Sequence, residues 1–452
     1  MKFLVLGAGP AGLGAALGLA RRGETDWELW EAGDAPGGLS STVVDGHGYA
    51  WDIGGHVVFS HYEDFDRLLD RAIEPDDWLR HKRAARVRIL GGWAPYPLQY
   101  NIHRLPEPER ERCHAGLVEA AGRTPGGGFR DFEALVRGRM GDALADLFLL
   151  PLNRKTWACP PDELGTGWVG ERVAFPDLKR VRESIERGID SDDWGPNSTF
   201  RFPRRGGTGA IWTAAAALLP EGRLVLRRRV VSIDAGARSA TASDGTVAGY
   251  EHLISTVPLD ELVRIARLSG LEGAASGLSR SSLHVIGVAL EGSPQGEARS
   301  ACWMYFPEPE FPFFRVTVFS NYSPHNVPDP ARNWSLLAEV SAPPGGPAEV
   351  PGLIDQTIRG LGAAGLIRPA DRVHHVWHRY VEHAYPVPTL RRDEALGELL
   401  PALEAFGILS RGRFGAWRYE VGNQDHCFMQ GAEAVDRILL GTPESVLAAG
   451  RG

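Results

Sequence analysis

The stretch "KFLVLGAGPAGLGAALGLARRGETDWELWE", residues 2–31, decides the fold. "KFLVL" has the length and apolar character of a buried strand, and a glycine turn follows it. "AGLGAALGLARRG" carries a helical pattern and "WELWE" reads as a second strand, so the chain opens on a βαβ unit. Gly7, Gly9 and Gly12 hold the GxGxxG spacing between strand and helix. The first glycine permits the tight turn, the second lets a pyrophosphate approach backbone, and the third allows close helix packing. Glu31 ends the second strand, where a carboxylate meets a ribose hydroxyl. The same spacing recurs in "GLGAAG" at 360–365, but that match ends a helical run with no strand before it and reads as a helix cap.

Further glycine turns follow along the chain. "APGGLSS" at 35–41 contains Gly38, and "WDIGGHVVFSHY" at 51–62 places Gly54 and Gly55 directly before His56. "GRFG" at 412–415, with Gly412 and Arg413, precedes "NQDH" at 423–426, the expected start of a helix reaching about residue 440. Any one of these is an ordinary turn. Together, repeated close backbone approaches suit an FAD stretched through the domain better than a nicotinamide on one βαβ unit. His61 has no second ligand at a metal-like spacing, and no metal is expected.

The bulk properties set limits. A chain of 452 residues is long enough for two or three domains. With 43% hydrophobic and 23% charged residues it is an ordinary globular protein. The net charge of −8 argues against nucleic acid or an acidic membrane as partner. Cys113, Cys159, Cys302 and Cys427 are widely spaced, which suits a reducing cytoplasm. No apolar run approaches the roughly 18–20 residues of a membrane span. Residues 103–196 read as mainly helical, broken by a surface connection at "TPGGGF" (124–129), and a second helix is expected over 351–365. The turn signals "DAG" and "SDG" mark antiparallel strands and a return to the nucleotide domain. "HVIGVAL", "CWMYF", "FFRVTVFSNY" and "WSLLAEV" read as strands within 284–340, and "SAPPGGPAEVPG" as a short loop.

Four longer motifs, "GGLSSTVVDGHGYAWDIGGHVVFSHY", "FRFPRRGGTGAIW", "FSNYSP" and "SRGRFGAWRYEVGNQDH", resemble the UDP-galactopyranose mutase family in its eukaryotic-type branch. The likeness runs from the first strand to about residue 440. Glycine signatures alone define only a broad class of FAD-binding oxidoreductases; "WRYEVGNQDH" and "FSNYSP" narrow it. The resemblance implies a mixed α/β plus α+β fold with three domains. These are an FAD-binding Rossmann-like domain (1–80, 204–283 and 390–452), an inserted helical substrate domain (103–196) and an antiparallel sheet domain (84–102, 197–203 and 284–389). It further implies an isomerase with non-covalent FAD, active when reduced, that interconverts UDP-galactopyranose and UDP-galactofuranose. In that chemistry a covalent flavin N5–sugar adduct forms and there is no net redox change.

UDP leaves as an anion, so such a site needs arginines that grip a diphosphate. Arg172 in "GERV" and Arg315 in "FFRVTVF" stand where the family places these. On its own, Arg315 in an apolar run reads equally as an edge residue reaching water. The resemblance assigns Tyr96, Gln99, Phe148, Asn153, Trp157, Asn197, Trp303, Tyr305, Tyr322, Tyr385 and Tyr419 to the substrate, and Val231 and Gln424 to the cofactor, with Asn423 serving both. His56 is expected beside flavin N5 as a sensor or modulator, because imidazole changes charge near neutral pH. "GERVAFPD" (170–177) is expected to be a mobile segment. Leu98 and Leu152 depart from the family's aromatic and tyrosine positions, which leaves sugar and base open. Oligomeric state is also open. With no second credible dinucleotide fold, an NAD(P)H electron donor would have to use the sugar-nucleotide site. Competing readings are the same chemistry on another nucleotide sugar, an amine-oxidase-like flavoenzyme with an apolar channel, and a silent FAD-binding protein.

Overall fold

The strand Phe3–Leu6 is fully buried and pairs in parallel with Trp27–Trp30 on one side and His252–Ser255 on the other. Leu224–Val225 and Ile408–Ser410 extend this to a five-stranded sheet of parallel pairs, so one sheet gathers strands from three distant stretches of chain. This computed structural model describes residues 2–123, 128–346 and 349–449. A parallel sheet covered on both faces needs near-continuous apolar strands; "FLVL" supplies one, and Leu253 and Ile254 supply the buried centre of "HLIS".

The helix Pro10–Arg21 leaves the glycine turn and crosses the helix Gln424–Leu440. The two touch backbone to backbone. A Cβ on Gly14 would lie 2.1 Å from the Phe428 carbonyl oxygen, and one on Gly431 would lie 1.9 Å from that of Ala11. The strands Val230–Asp234, Ser239–Ala242 and Val247–Gly249 form an antiparallel meander whose turns fall at the "DAG" and "SDG" signals.

A seven-stranded sheet runs Val373–Val387, Ser279–Glu291, Asn333–Ala342, Arg315–Thr317, Trp303–Tyr305, Ala85–Ile89 and Gly92–Pro95. It is antiparallel throughout except where Trp303–Tyr305 meets Ala85–Ile89 in parallel. "FFRVTVFSNY" is not one strand. Only Arg315–Thr317 joins the ladder, and Phe319–Asn321 turns away as a 3-10 helix. Phe313, Phe314 and Phe319 are buried, so the run is apolar because it fills the core and not because it extends the sheet.

The region before Thr199 is helical, with Glu107–Gly122, Phe132–Met140, Leu150–Trp157 and Leu178–Arg187 as its main helices. A π turn at Ala145–Leu149 carries Phe148. The helix Val350–Ala363 ends before Gly365, whose φ of +74° is the left-handed conformation of a helix cap, as read from "GLGAAG". Residues 124–127 of "TPGGGF" and 347–348 of the Pro/Gly loop lie outside the described residues. Among the described residues no helix is long and apolar enough to cross a membrane.

Candidate active site

A cavity of about 1180 Å³ runs from the βαβ turn to the seven-stranded sheet. Gly7, Gly9, Glu31, Gly38, Val231 and Gly412 line its nucleotide end. The helix Pro10–Arg21 starts at Gly9 with no side-chain cap, which leaves its first N–H groups for an anion. The Glu31 carboxylate accepts the backbone N–H of Ala8 and of Gly33, each at 2.6 Å. Those bonds fix it at the turn and leave lone pairs for a hydroxyl donor. Gly12 lies beneath the lining, where a Cβ would sit 1.7 Å from the Gly7 carbonyl oxygen.

Gly54 has φ +101°, and a Cβ on Gly55 would lie 2.4 Å from Thr317 Oγ1. The close approach of the antiparallel sheet therefore already requires glycine here. His56 lines the cavity, and its Nδ1 is buried without a partner. Burial, then Arg315 and Arg413, push its pKa down to about 3. The expected change of charge near neutrality does not hold, and the imidazole is neutral. His61 gains neighbours that its sequence spacing does not show. Its Nδ1 lies 2.7 Å from Asp425 Oδ2 and its Nε2 3.5 Å from Glu171. Hydrogen bonds to Asp425 and Glu171 push its pKa up to about 9 against partial burial.

At the other end Arg172 donates from Nη1 to Asn423 Oδ1 at 3.1 Å and from Nη2 to the Glu420 carbonyl at 2.7 Å, while its Nε is buried and unpartnered. Its guanidinium lies 5.4 Å from the centre of the Tyr419 ring. Arg315 makes a two-point pair with Glu339, with Nη2 to Oε1 at 2.7 Å, and Glu339 is 1% exposed. Tyr96, Asn197, Trp303, Tyr305, Tyr385, Tyr419, Arg413, Asn423 and Gln424 complete the lining. Arg413 lies 5.0 Å from the Tyr385 ring centre and 5.4 Å from that of Tyr419. Asn423 is the N-cap of Gln424–Leu440 but makes no side-chain cap bond, so a second helix N-terminus opens on the cavity.

Five expected substrate residues sit behind this lining. Asn153 accepts from Trp157 Nε1 at 3.1 Å, and Trp157 stands edge-on to Tyr419 at 4.8 Å. Phe148 is fully buried, and Gln99 donates to the Ala174 carbonyl at 2.8 Å. Tyr322 is packed among Phe200, Phe202 and Phe319. Leu98 and Leu152 belong to the core.

Two charged residues escape the sequence reading. Arg83 is 2% exposed, lines the cavity, and donates to Asn197 Oδ1 and the Trp194 carbonyl. In "HKRAARVR" it looks like one of several solvated charges. Glu339 faces Arg315 across the strand ladder. The available signal was a single charge in each of two apolar strand-like runs.

The polar atoms His56 Nδ1, Trp303 Nε1, Arg172 Nε and Asn423 Nδ2 are buried without partners at this cavity. With two uncapped helix N-termini and a glycine-lined turn, they fit an FAD at one end and a polar anionic ligand at the other.

A family profile described as an NAD(P)-binding Rossmann-like domain matches residues 5–72. Among solved structures, the chain is similar to reduced UDP-galactopyranose mutase at 46% identity and a TM-score of 0.96, covering 100% of this chain and 98% of that one. A CLA-producing fatty acid isomerase from P. acnes matches at 16% identity and TM-score 0.64, over 97% of this chain and 99% of that one. A putrescine oxidase bound to putrescine matches at 17% and 0.65, over 97% and 98%. These last two share the fold alone. Fold and site together define a flavoenzyme with a Rossmann-like dinucleotide domain and a large antiparallel sheet. Within that class, the chain belongs to the UDP-galactopyranose mutase family. Membership implies FAD as cofactor and a nucleotide sugar as substrate.

Proposed function

We propose that this protein interconverts UDP-galactopyranose and UDP-galactofuranose on reduced FAD, as an isomerase with no net redox change. One observation carries the reading: arginines and tyrosines cluster at the end of a cavity whose other end is a dinucleotide turn. Gly7, Gly9, Glu31, Gly38, Gly54, Gly55, Val231, Gly412, Arg413, Asn423 and Gln424 would hold the cofactor. The reduced flavin, when bound, supplies at N5 the nucleophile for the anomeric carbon.

The chain's own residues do the rest. Arg172 and Arg315 neutralise the departing diphosphate, and Glu339 fixes the Arg315 guanidinium by two bonds so that it is oriented before the substrate arrives. Burial raises the pKa of Tyr305 and of Tyr385, so both stay protonated and act as O–H donors to phosphate oxygens. Neutral His56 keeps a bare or protonated ring nitrogen at the cavity without adding charge. Trp157, itself held by Asn153, packs edge-on behind Tyr419 and excludes water there. The paired arginines and tyrosines offer no apolar amine channel of the kind an amine oxidase needs.

The five-stranded and seven-stranded sheets support the three-domain division, while Thr199–Pro203 pairs with Trp78–Lys82 outside both. That division is part of this proposal. So is the cytoplasm, which suits four free cysteines. NAD(P)H is assigned as electron donor through the same cavity. UDP should then compete with its reduction of the flavin; reduction indifferent to saturating UDP counts against a shared site.

The decisive assay reduces the purified protein with dithionite, adds UDP-galactofuranose and separates products by anion exchange. Conversion to UDP-galactopyranose by the reduced form only is expected. Failure with UDP still bound would move the assignment to another sugar on the same nucleotide. Failure to bind UDP would overturn the base.

A further inference from the structure

Away from the cavity, three histidines converge at the surface. His47 lies in the turn between the strands Thr42–Val44 and Ala50–Asp52. His374 and His375 are neighbours on Val373–Val387, and neighbours on a regular strand face opposite sides. Here the ladder slips. His375 opposes Ala289 and Val373 opposes Leu290, so His374 is an extra residue. Such a bulge re-aims side chains. The rings of His374 and His375 end up 5.3 Å apart, and His47 lies 4.2 Å from His375 and 5.2 Å from His374. One ring nitrogen from each histidine lies within 4.8 Å of the other two.

The surroundings orient these nitrogens. Asp45 Oδ2 is 2.7 Å from His375 Nε2. The carboxylate is itself fixed by Trp51 Nε1 at 2.7 Å and by the backbone N–H groups of His47 at 2.8 Å and Tyr49 at 3.1 Å. With Nε2–H donated to Asp45, the lone pair of His375 is at Nδ1, which is buried and has no partner. A carboxylate behind one ring nitrogen and a free lone pair at the other is how metal-bound histidines are held. Glu291 Oε1 stands 4.0 Å from His374 Nδ1 and is a further oxygen at the rim.

We propose that His47, His374 and His375 bind one divalent transition-metal ion, with Asp45 orienting His375 from behind. Three imidazoles favour Zn²⁺, Ni²⁺ or Cu²⁺ over Mg²⁺ or Ca²⁺. Metal–nitrogen bonds of about 2.0–2.1 Å require the nitrogens to draw closer; His47 and His374 are exposed, and the His47 ring, now stacked on His375, must swing out of that stack to present its lone pair. The ion would clip the turn at 45–48 to the end of the longest strand of the sheet. That hairpin leads directly into Gly54, Gly55 and His56, so the clip would stiffen the approach to the cavity. A second cluster, His61 with Asp425 and His426, has Asp425 in the cavity lining and serves as the internal control.

The test uses the FAD-loaded full chain without a polyhistidine tag, dialysed against micromolar Zn²⁺ and assayed for bound metal by mass spectrometry. One equivalent is expected. It should be lost in the double variant His47→Ala/His374→Ala and kept in His61→Ala, and Asp45→Asn should weaken it about 10–100-fold. No bound Zn²⁺, an equivalent unchanged in the double variant, or one lost in His61→Ala would overturn the proposal. Cu²⁺ paramagnetic resonance of His61→Ala, in which the second cluster is broken, gives a reading independent of how the double variant folds. Splitting by imidazole nitrogens is expected, and a spectrum without it would overturn the site.

Discussion

The two ends of the cavity are built from different materials. The nucleotide end is backbone: Gly7, Gly9 and Gly38 bring the main chain together, and a helix N-terminus offers N–H dipoles. The sugar end is side chain. Arg172, Arg315 and Arg413 face Tyr305, Tyr385 and Tyr419, and the buried Glu339 holds Arg315. A backbone site tolerates no added carbon but survives many changes of charge nearby. A site of buried charges tolerates changes of shape but not the loss of one partner. The family's fold relatives sharpen this contrast: a fatty acid isomerase and a putrescine oxidase share the architecture, so fold alone does not select the chemistry.

The largest effect is expected from Gly12→Ala. Its Cβ would lie 1.7 Å from the Gly7 carbonyl oxygen and 2.9 Å from the carbonyl carbon, and neither is a flexible side-chain end. Loss of soluble, yellow protein is the expected outcome, read from yield and flavin absorbance. A variant that folds and holds FAD with unchanged affinity would break the backbone half of the comparison. Next comes Arg315→Ala, which should lower mutase turnover about 10²–10³-fold while FAD stays bound. It also strands Glu339 as a buried charge, at about 3–5 kcal/mol of stability. Adding Glu339→Gln to it should restore much of the melting temperature and none of the turnover. Near-normal turnover in either variant would remove Arg315 from the diphosphate site.

This contrast also governs what the sequence makes readable. The nucleotide end is legible because its parts are local: residues 2–31 hold the turn, helix start and carboxylate in one unit. At the sugar end spacing says little. Arg172 and Arg315 enter through likeness of long motifs, and Glu339 and Arg83 do not enter at all, because their partners arrive from other elements. His61 reads as isolated, yet its partner Asp425 lies 364 residues further on. Gln99, Phe148, Asn153, Trp157 and Tyr322 are assigned to the substrate but stand behind the lining, since motif likeness does not separate a wall from its support. The charge expected to change on His56 is overturned by burial and two arginines, neither of which a local motif shows.

Glu31→Gln probes the one side chain the nucleotide end depends on. The amide keeps a single acceptor oxygen where the carboxylate takes Ala8 and Gly33 on separate oxygens. One backbone bond is lost, along with the charge on the other. FAD affinity should fall by about tenfold, roughly 1.4 kcal/mol, as measured by fluorescence titration of the apoprotein. No change would mean that this end is held by backbone alone.

The smallest effect concerns a contact that ties two elements of the sugar end together. His61 bridges Asp425, in the first turn of a cavity-facing helix, and Glu171, the residue beside Arg172. Burial would raise Asp425, but hydrogen bonds from His426 and His61 outweigh it and hold its carboxyl well below the usual range. Since the folded pKa of His61, about 9, exceeds its ordinary 6.5, its contribution is complete below pH 6.5 and is lost as the pH rises through 9. His61 is 27% and Glu171 46% exposed at the side chain, so solvent screens much of the attraction. The melting temperature of the FAD-loaded protein should therefore fall by on the order of 1 °C between pH 6.5 and 9 on account of this group. His61→Asn should lack that component, and raised salt should shrink it in the unmodified protein. If turnover rather than melting follows the same pH window and His61→Asn abolishes it, the bridge positions Arg172 for the substrate. If the unmodified protein and His61→Asn melt in parallel across the window, the bridge is a surface contact and Arg172 is positioned without it.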